Sequence, residues 1–246
     1  MIPQAVAATF PENWPHTLRA LAVPTRSRAL SNDDAWALGA YSDWFRDATG
    51  AVPRPFGEDL LDWIDATMAG MPEGVSPRIG MCSWKDASPS HLPSFGRRGV
   101  LHTMTSDSPR IGRAVAAHLA GGPPVHLHLR AWRRFGDEGE FRAFVSDGRV
   151  VGVSQYHHRR TFPALLDRRD DLLGSLRRSL RRIVPMLHVE SCAVDLHLGD
   201  DGEATLIEIN PFDRATDACL FSWSRPNDFD RSLRLRDGDG VVRILP

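Results

Sequence analysis

The chain has 246 residues, 42 % of them hydrophobic, which is enough to bury a core as one large domain or two lobes. Its formal net charge of −1 gives no electrostatic case for nucleic acid or for an anionic membrane surface. The 3 cysteines, Cys82, Cys192 and Cys219, form no C-x-x-C pair, which argues against a disulfide framework or zinc knot and for a reducing cytoplasm.

The opening MIPQAVAATFPENWPHT has no basic segment and no long apolar run, so neither a signal peptide nor a transmembrane span is expected. The first third reads as helical. SNDDAWALGAYSDWFRDAT starts on capping residues Ser31 and Asn32, with acids in the first turn. Trp36, Ala40 and Trp44 recur every fourth residue, as one buried helix face would. GEDLLDWIDATMAG repeats the pattern with Leu60, Leu61, Ile64 and Met68 and stops at Gly70.

From Ser76 the texture changes. PRIGMCSW and GVLHTMTSD are short apolar runs that suit strands, and RIGRAVAAHLAGG is a helix stopped by glycine. VHLHLRAW, EFRAFVSDGRVVGVSQ and CAVDLHLGDDGEATLIEIN alternate at period two and carry Asp-Gly turn signals. Between them, Leu172, Leu176, Leu180 and Ile183 or Val184 line one face of a long helix. The order is helices, a small α/β piece, then antiparallel hairpins with a helix inserted. This is an α+β pattern, not a doubly wound one.

The sharpest chemistry lies in VDLHLGDDGEATLIEINPF. If Asp201-Gly202 is a two-residue turn, Asp200 faces Glu203 and Asp195 faces Glu208. Facing Cβ atoms are ~5 Å apart, so the two carboxylates repel unless a cation joins them. Asn210 shares the strand face of Glu208. Three hard oxygen donors suit Mg²⁺, which takes one or two carboxylates and completes its shell with phosphate oxygens at ~2.1 Å. A solvated acidic hairpin ending in an Asn-Pro turn is the plainer alternative. There is no P-loop signature and no Rossmann glycine fingerprint.

The order LHLRAW, EFRAFV, VVGVSQ, VDLHL, LIEINPF, TDACLFSW resembles the ATP-grasp family of cell division cycle protein 123, as a bacterial-type relative. PRIGMCSWKDA is similar to that family's phosphate-site motif, roughly P-K-L-N-W-S-x-P-K-D-A. The resemblance implies an ATP-grasp fold, with ATP and Mg²⁺ held between two α+β lobes. On this reading 1–75 is a helical N-terminal segment packed on the N-terminal lobe, 76–125 is that lobe, and 126–246 is the C-terminal lobe with the metal hairpin. Asp195, Glu208 and Asn210 match the metal ligands. Arg142 matches a basic residue near the phosphates, with Glu140 on its strand face. Leu127, His128, Leu129 and Arg130 match the hinge against which adenine packs, offering backbone donors and acceptors. Lys85, Asp86 and Ala87 match K-D-A, so the chain's single lysine touches or shapes the loop over the phosphates, and Arg142 and Lys85 are the candidate catalytic residues.

The chain departs from the family pattern at several places. Arg78 stands for the motif's first lysine, keeping the charge in a larger, planar group. Gly80-Met81-Cys82 replaces Asn-Trp-Ser. Ser154-Gln155-Tyr156-His157 replaces S-Q-R-D, which puts in doubt a partner contact made there. The His126/His128 and His157/His158 pairs lack a spaced third ligand for a metal. Arg168, Arg169, Arg177, Arg178, Arg181 and Arg182 give a basic helix surface, ordinarily solvated. Cys219 follows the hairpin with no base placed beside it by sequence.

Two functions follow from the resemblance. One is an ATP-dependent assembly factor that binds a protein partner. The other is an ATP-dependent carboxylate–amine ligase working through an acyl phosphate. The arginine-heavy composition suggests a GC-rich bacterium without the eukaryotic partner, which keeps the ligase open.

Overall fold

The structure, a computed structural model, describes residues 2–87 and 92–245. The chain forms two compact units, Met1–Ala7 with Pro24–Arg133, and Ala8–Val23 with Arg134–Pro246.

In the first unit, helix Asn32–Ala40 is capped by Ser31, whose Oγ accepts from the Asp34 amide at 3.0 Å. It stops at Tyr41, and a second helix, Asp43–Thr49, ends on Gly50 at φ 71°. This break corrects the four-residue periodicity read through it. The buried positions are Ala35, Ala37, Leu38, Gly39 and Ala40, while Trp36 is 40 % exposed and meets Phe45 edge-on. Gly39 admits that phenylalanine: a Cβ there would lie 2.8 Å from its ring. Helix Glu58–Ala69 buries Leu60 and Ile64, with Leu61 and Met68 at the margin. The run 99–107, expected as a strand, falls largely in helix Gly96–Met104. Val100 and Met104, four residues apart, reach the core, a spacing the apolar content alone does not distinguish from a strand.

Four strands complete this unit: β1 (Thr25–Ala29), β2 (Val75–Ile79), β3 (Cys82–Ser83) and β4 (His126–Ala131), in the antiparallel order β1-β4-β2-β3. The sequence reading puts 126–131 with the C-terminal lobe and takes 1–75 as helical. In the structure β4 is central here, paired with β1 on one side and β2 on the other. Its Leu127 and Leu129 are fully buried against Phe45, Leu60, Ile64 and Ile79. Each such side chain contributes about 1.5–3 kcal/mol of burial.

The second unit is a six-stranded sheet of β5 (Glu140–Ser146), β6 (Arg149–Gln155), β7 (Cys192–Leu198), β8 (Ala204–Pro211), β9 (Leu233–Asp237) and β10 (Gly240–Ile244), ordered β10-β9-β6-β5-β7-β8. Asp147-Gly148, at φ 51° and 68°, is the two-residue turn the sequence signals, with Ser146 facing Arg149. One sheet face carries Phe141, Ala143, Val194, Leu196 and Ile209, packed with Leu172, Leu176, Leu180 and Ile183 of helix Arg169–Ile183. The opposite face holds a smaller aromatic cluster around Phe144 and, beside it, polar and charged groups.

Candidate functional site

Hairpin β7–β8 sets the polar face. Asp195 faces Glu208, as the turn arithmetic predicts, but not through the predicted turn. Gly199, rather than Asp200, faces Glu203, with the Gly199 amide donating to the Glu203 carbonyl at 2.9 Å and Gly202 at φ 78° inside the loop. That longer loop alone would put the strands one residue out of step. A bulge at Ile207 restores the register, because Leu196 pairs with Leu206 while Asp195 pairs with Glu208. The bulge keeps Leu206 on the core face and Glu208 on the polar one.

Across the sheet, paired residues share a face. Arg142 on β5 pairs with Asp195, and on its other side with Ser154 of β6, which pairs with Arg234 of β9. The row therefore runs Arg234, Ser154, Arg142, Asp195, Glu208, from cationic to anionic. Arg142 donates from Nε to Asp195 Oδ1 at 2.7 Å and from Nη2 to Oδ2 at 2.8 Å, a bidentate ion pair with both side chains almost fully buried. Its Nη1 donates to the Asp217 carbonyl at 2.8 Å. Asn210 Nδ2 donates to Asp195 Oδ2 at 3.1 Å, which places the three predicted metal residues on one patch.

Burial pushes the Asp195 carboxyl up and Arg142 pulls it back, with a net upward shift. Burial also works against the Arg142 guanidinium, but the Asp195 hydrogen bonds outweigh it and Arg142 stays above its ordinary value. The geometry is that of a bidentate ion pair. Tyr156, whose ring lies 5.0 Å under the Arg142 guanidinium, is pushed to about 12, first by burial and then by the Asp195 charge.

Does this donor set fit Mg²⁺? A carboxylate has roughly four lone-pair positions. Asp195 has given three, one from Oδ1 to Arg142 and two from Oδ2 to Arg142 and Asn210. One remains on Oδ1, so Asp195 can offer a single oxygen without losing its partner. Asn210, using its amide nitrogen on Asp195, keeps its oxygen. With the half-buried Glu208 this makes a hard-oxygen set that fits a magnesium ion carrying phosphate and water in its other positions.

The remaining predicted residues lie as follows. Glu140 opens β5 with its carboxylate 3.5 Å from His157 Nε2. In the first unit, Lys85 is exposed in the turn after β3. Asp86 accepts from Ser108 Oγ at 2.6 Å and from the Arg110 amide at 3.3 Å, so it anchors the start of helix Pro109–Leu119. The Ala87 amide closes the turn onto the Trp84 carbonyl, and Ser88 of the same stretch lies outside the described residues. Arg78 Nη2 donates to the Met81 carbonyl at 3.1 Å across the β2–β3 connection.

The hinge expectation needs correction. Leu127, His128, Leu129 and Arg130 are each paired on both sides, so their backbone donors and acceptors belong to the ladders of β1 and β2 and cannot read an adenine edge. His128 is fully buried, with its Nδ1 2.8 Å from Ser27 Oγ.

Sequence reasoning gave Tyr156, Ser154, Arg234 and Asp217 no role at the site. Ser154, Tyr156 and Asp217 fall within or beside the quoted motifs, whereas Arg234 lies on a strand that no motif announces and reaches the row only through its pairing with Ser154.

Comparison with known proteins gives a consistent picture. The D123 family model matches residues 109–235, just over half the chain. A Candida albicans protein named translation initiation factor eIF2 assembly protein is 25 % identical over 223 residues, 81 % of this chain and 64 % of its own length. Cell division cycle protein 123 of Candida glabrata is 35 % identical over 131 residues, 50 % of this chain and 36 % of its own. The chain therefore spans less than two thirds of these relatives. The structure of Cdc123 from Schizosaccharomyces pombe superposes with a TM-score of 0.73 at 18 % identity, covering 91 % of each chain. The fold is thus α+β and ATP-grasp-like, and no helix among the described residues is long and apolar enough to cross a membrane.

Proposed function

The chain belongs to the D123 family, and on that premise we propose that it binds Mg·ATP and serves as a cytoplasmic, ATP-dependent assembly factor for a protein partner; the names of its relatives supply only the assembly role, for eIF2. The observation that carries this reading is the facing pair Asp195–Glu208 with Asn210 and Arg142 on one patch. Asp195, Glu208 and Asn210 would hold the magnesium ion, whose charge offsets that of the phosphate oxygens. Arg142 holds Asp195 in place and keeps a positive charge beside the phosphate position. Lys85 and Arg78 are proposed phosphate contacts. Asp86 and Ala87 act by shaping the turn that carries Lys85.

A second reading, an ATP-dependent carboxylate–amine ligase, is favoured by one feature. A cavity of about 250 Å³ is lined by Tyr156, His157, His158, Arg159, Arg160, Asp217 and Cys219, and Asp217 also accepts from Arg142. It offers an acceptor carboxylate both room and arginines. Melting curves and ADP release, measured together, test the proposal. Stabilisation by ATP with Mg²⁺, without turnover across carboxylates and amines, supports the assembly factor. ADP release that depends on an acceptor selects the ligase. No response to ATP under any condition contradicts both.

A further inference from the structure

We propose that His158, Asp217 and Cys219 form a second metal site, for a zinc-type divalent transition ion, with three protein ligands and a fourth position open to the adjoining cavity. This goes beyond nucleotide binding and does not depend on it.

One ligand atom from each of the three residues lies within 4.8 Å of the others, among the described residues. They supply nitrogen, oxygen and sulfur, the mixture that a borderline-soft ion accepts and that magnesium does not seek. Metal–ligand bonds of about 2.0–2.3 Å put tetrahedral ligands roughly 3.3–3.8 Å apart, so closure by about 1 Å completes the set.

The surroundings already orient the donors. His158 Nδ1 lies 3.2 Å from the Tyr156 carbonyl, which can only accept, so Nδ1 carries the proton and the Nε2 lone pair is left for a metal. Asp217 is fixed at both ends: its carbonyl accepts from Arg142 at 2.8 Å, and its Oδ1 accepts from the Cys219 amide at 2.8 Å. Cys219 sits at φ 54°, a left-handed position, and the next amide, Leu220, donates to Ser154 Oγ at 3.2 Å. These bonds hold the thiol in the tight turn beside Asp217. The 250 Å³ cavity lies on the same residues, as an open coordination position requires. On binding, the thiol proton leaves to solvent and the thiolate joins the ion, one proton released per metal.

The test uses the reduced full chain and Co²⁺ as a spectroscopic probe. Tetrahedral cobalt bound to a thiolate gives an ultraviolet charge-transfer band that oxygen ligands do not give. The wild type is expected to bind one cobalt with this band, and zinc to displace it. Cys219→Ser should lose the band, and His158→Gln should weaken binding by at least ten- to a hundredfold, both with unchanged melting of the metal-free protein. Cys82→Ser and Glu208→Ala should keep the band. Retention in Glu208→Ala separates this site from the proposed magnesium site, so either can fail alone. Absence of the band in the wild type, its persistence in Cys219→Ser, or its loss in Cys82→Ser overturns the proposal.

Discussion

Arg142 and Asp195 face each other across β5 and β7 and are joined by two parallel hydrogen bonds of 2.7 and 2.8 Å, with both side chains nearly out of water. The pair has a structural consequence separate from any ligand. Breaking a buried pair leaves one uncompensated charge, at about 3–5 kcal/mol, whereas replacing both members by apolar groups is often near neutral. Arg142→Ala should therefore lower stability by roughly 3–5 kcal/mol, and Arg142→Met with Asp195→Leu should recover most of it. Denaturant melts of the single and double variants check this. A single variant as stable as the wild type would show that the pair is not closed in solution.

Lys85 is exposed in its turn, so its removal should cost nothing in folding. If it contacts phosphate, Lys85→Ala should weaken ATP binding by roughly tenfold to a hundredfold, the worth of a charge-assisted contact. Lys85→Arg should lose less. Calorimetry on both variants at one salt concentration decides, and equal affinities in all three proteins remove Lys85 from the site.

Two of the cysteines should be unreactive in the metal-free protein. Burial pushes the thiols of Cys192 and Cys219 up to about 12, and for Cys219 the charge of Arg142 only partly offsets it. Since the thiolate is the nucleophile, iodoacetamide at pH 8 should modify both far more slowly than in the unfolded chain. Peptide mapping after timed alkylation reads this. Rapid labelling of Cys219 in the native protein would contradict it.

His197, whose ring is tilted by 30° against that of Phe135 with centroids 4.6 Å apart, is held below its ordinary value of 6.5 by burial. The folded state then binds its proton less readily than the unfolded chain does. Stability from this residue is present above about pH 6.5 and declines as pH falls through that value. His197→Gln should flatten that part of the stability curve relative to the wild type. Identical curves for the two proteins would remove His197 as a cause.

Much of this was legible from residue spacing, and the rest failed for physical reasons. A two-residue turn at Asp201-Gly202 predicts that Asp195 faces Glu208. They do face, because a longer loop and a bulge at Ile207 cancel each other, and neither leaves a mark in the alternation. The Asp147-Gly148 turn was plain, since its left-handed backbone demands those residue types. The buried face of helix Arg169–Ile183 was plain too. The single face predicted through Trp36, Ala40 and Trp44 fails because the helix stops at Tyr41 and Trp44 belongs to the next one, a break that no proline announces. The hinge role of residues 127–130 comes from the family resemblance alone, and no residue pattern within them reveals that the strand is central; the pairing with β1 and β2 does. Strands β9 and β10 went unread, so the fifth member of the charged row, Arg234, was invisible.

The central claim is that the Asp195–Glu208 patch holds the magnesium of Mg·ATP. Its most direct test is a calorimetric titration of ATP into the wild type and into Glu208→Ala, each with and without Mg²⁺. Removing one of two repelling carboxylates should leave the apo fold as stable as before. It should weaken binding in Mg²⁺ by roughly tenfold to a hundredfold, and binding without Mg²⁺ should be weak and equal in both proteins. Equal Mg·ATP affinities for the wild type and Glu208→Ala, with both proteins folded, would contradict the claim.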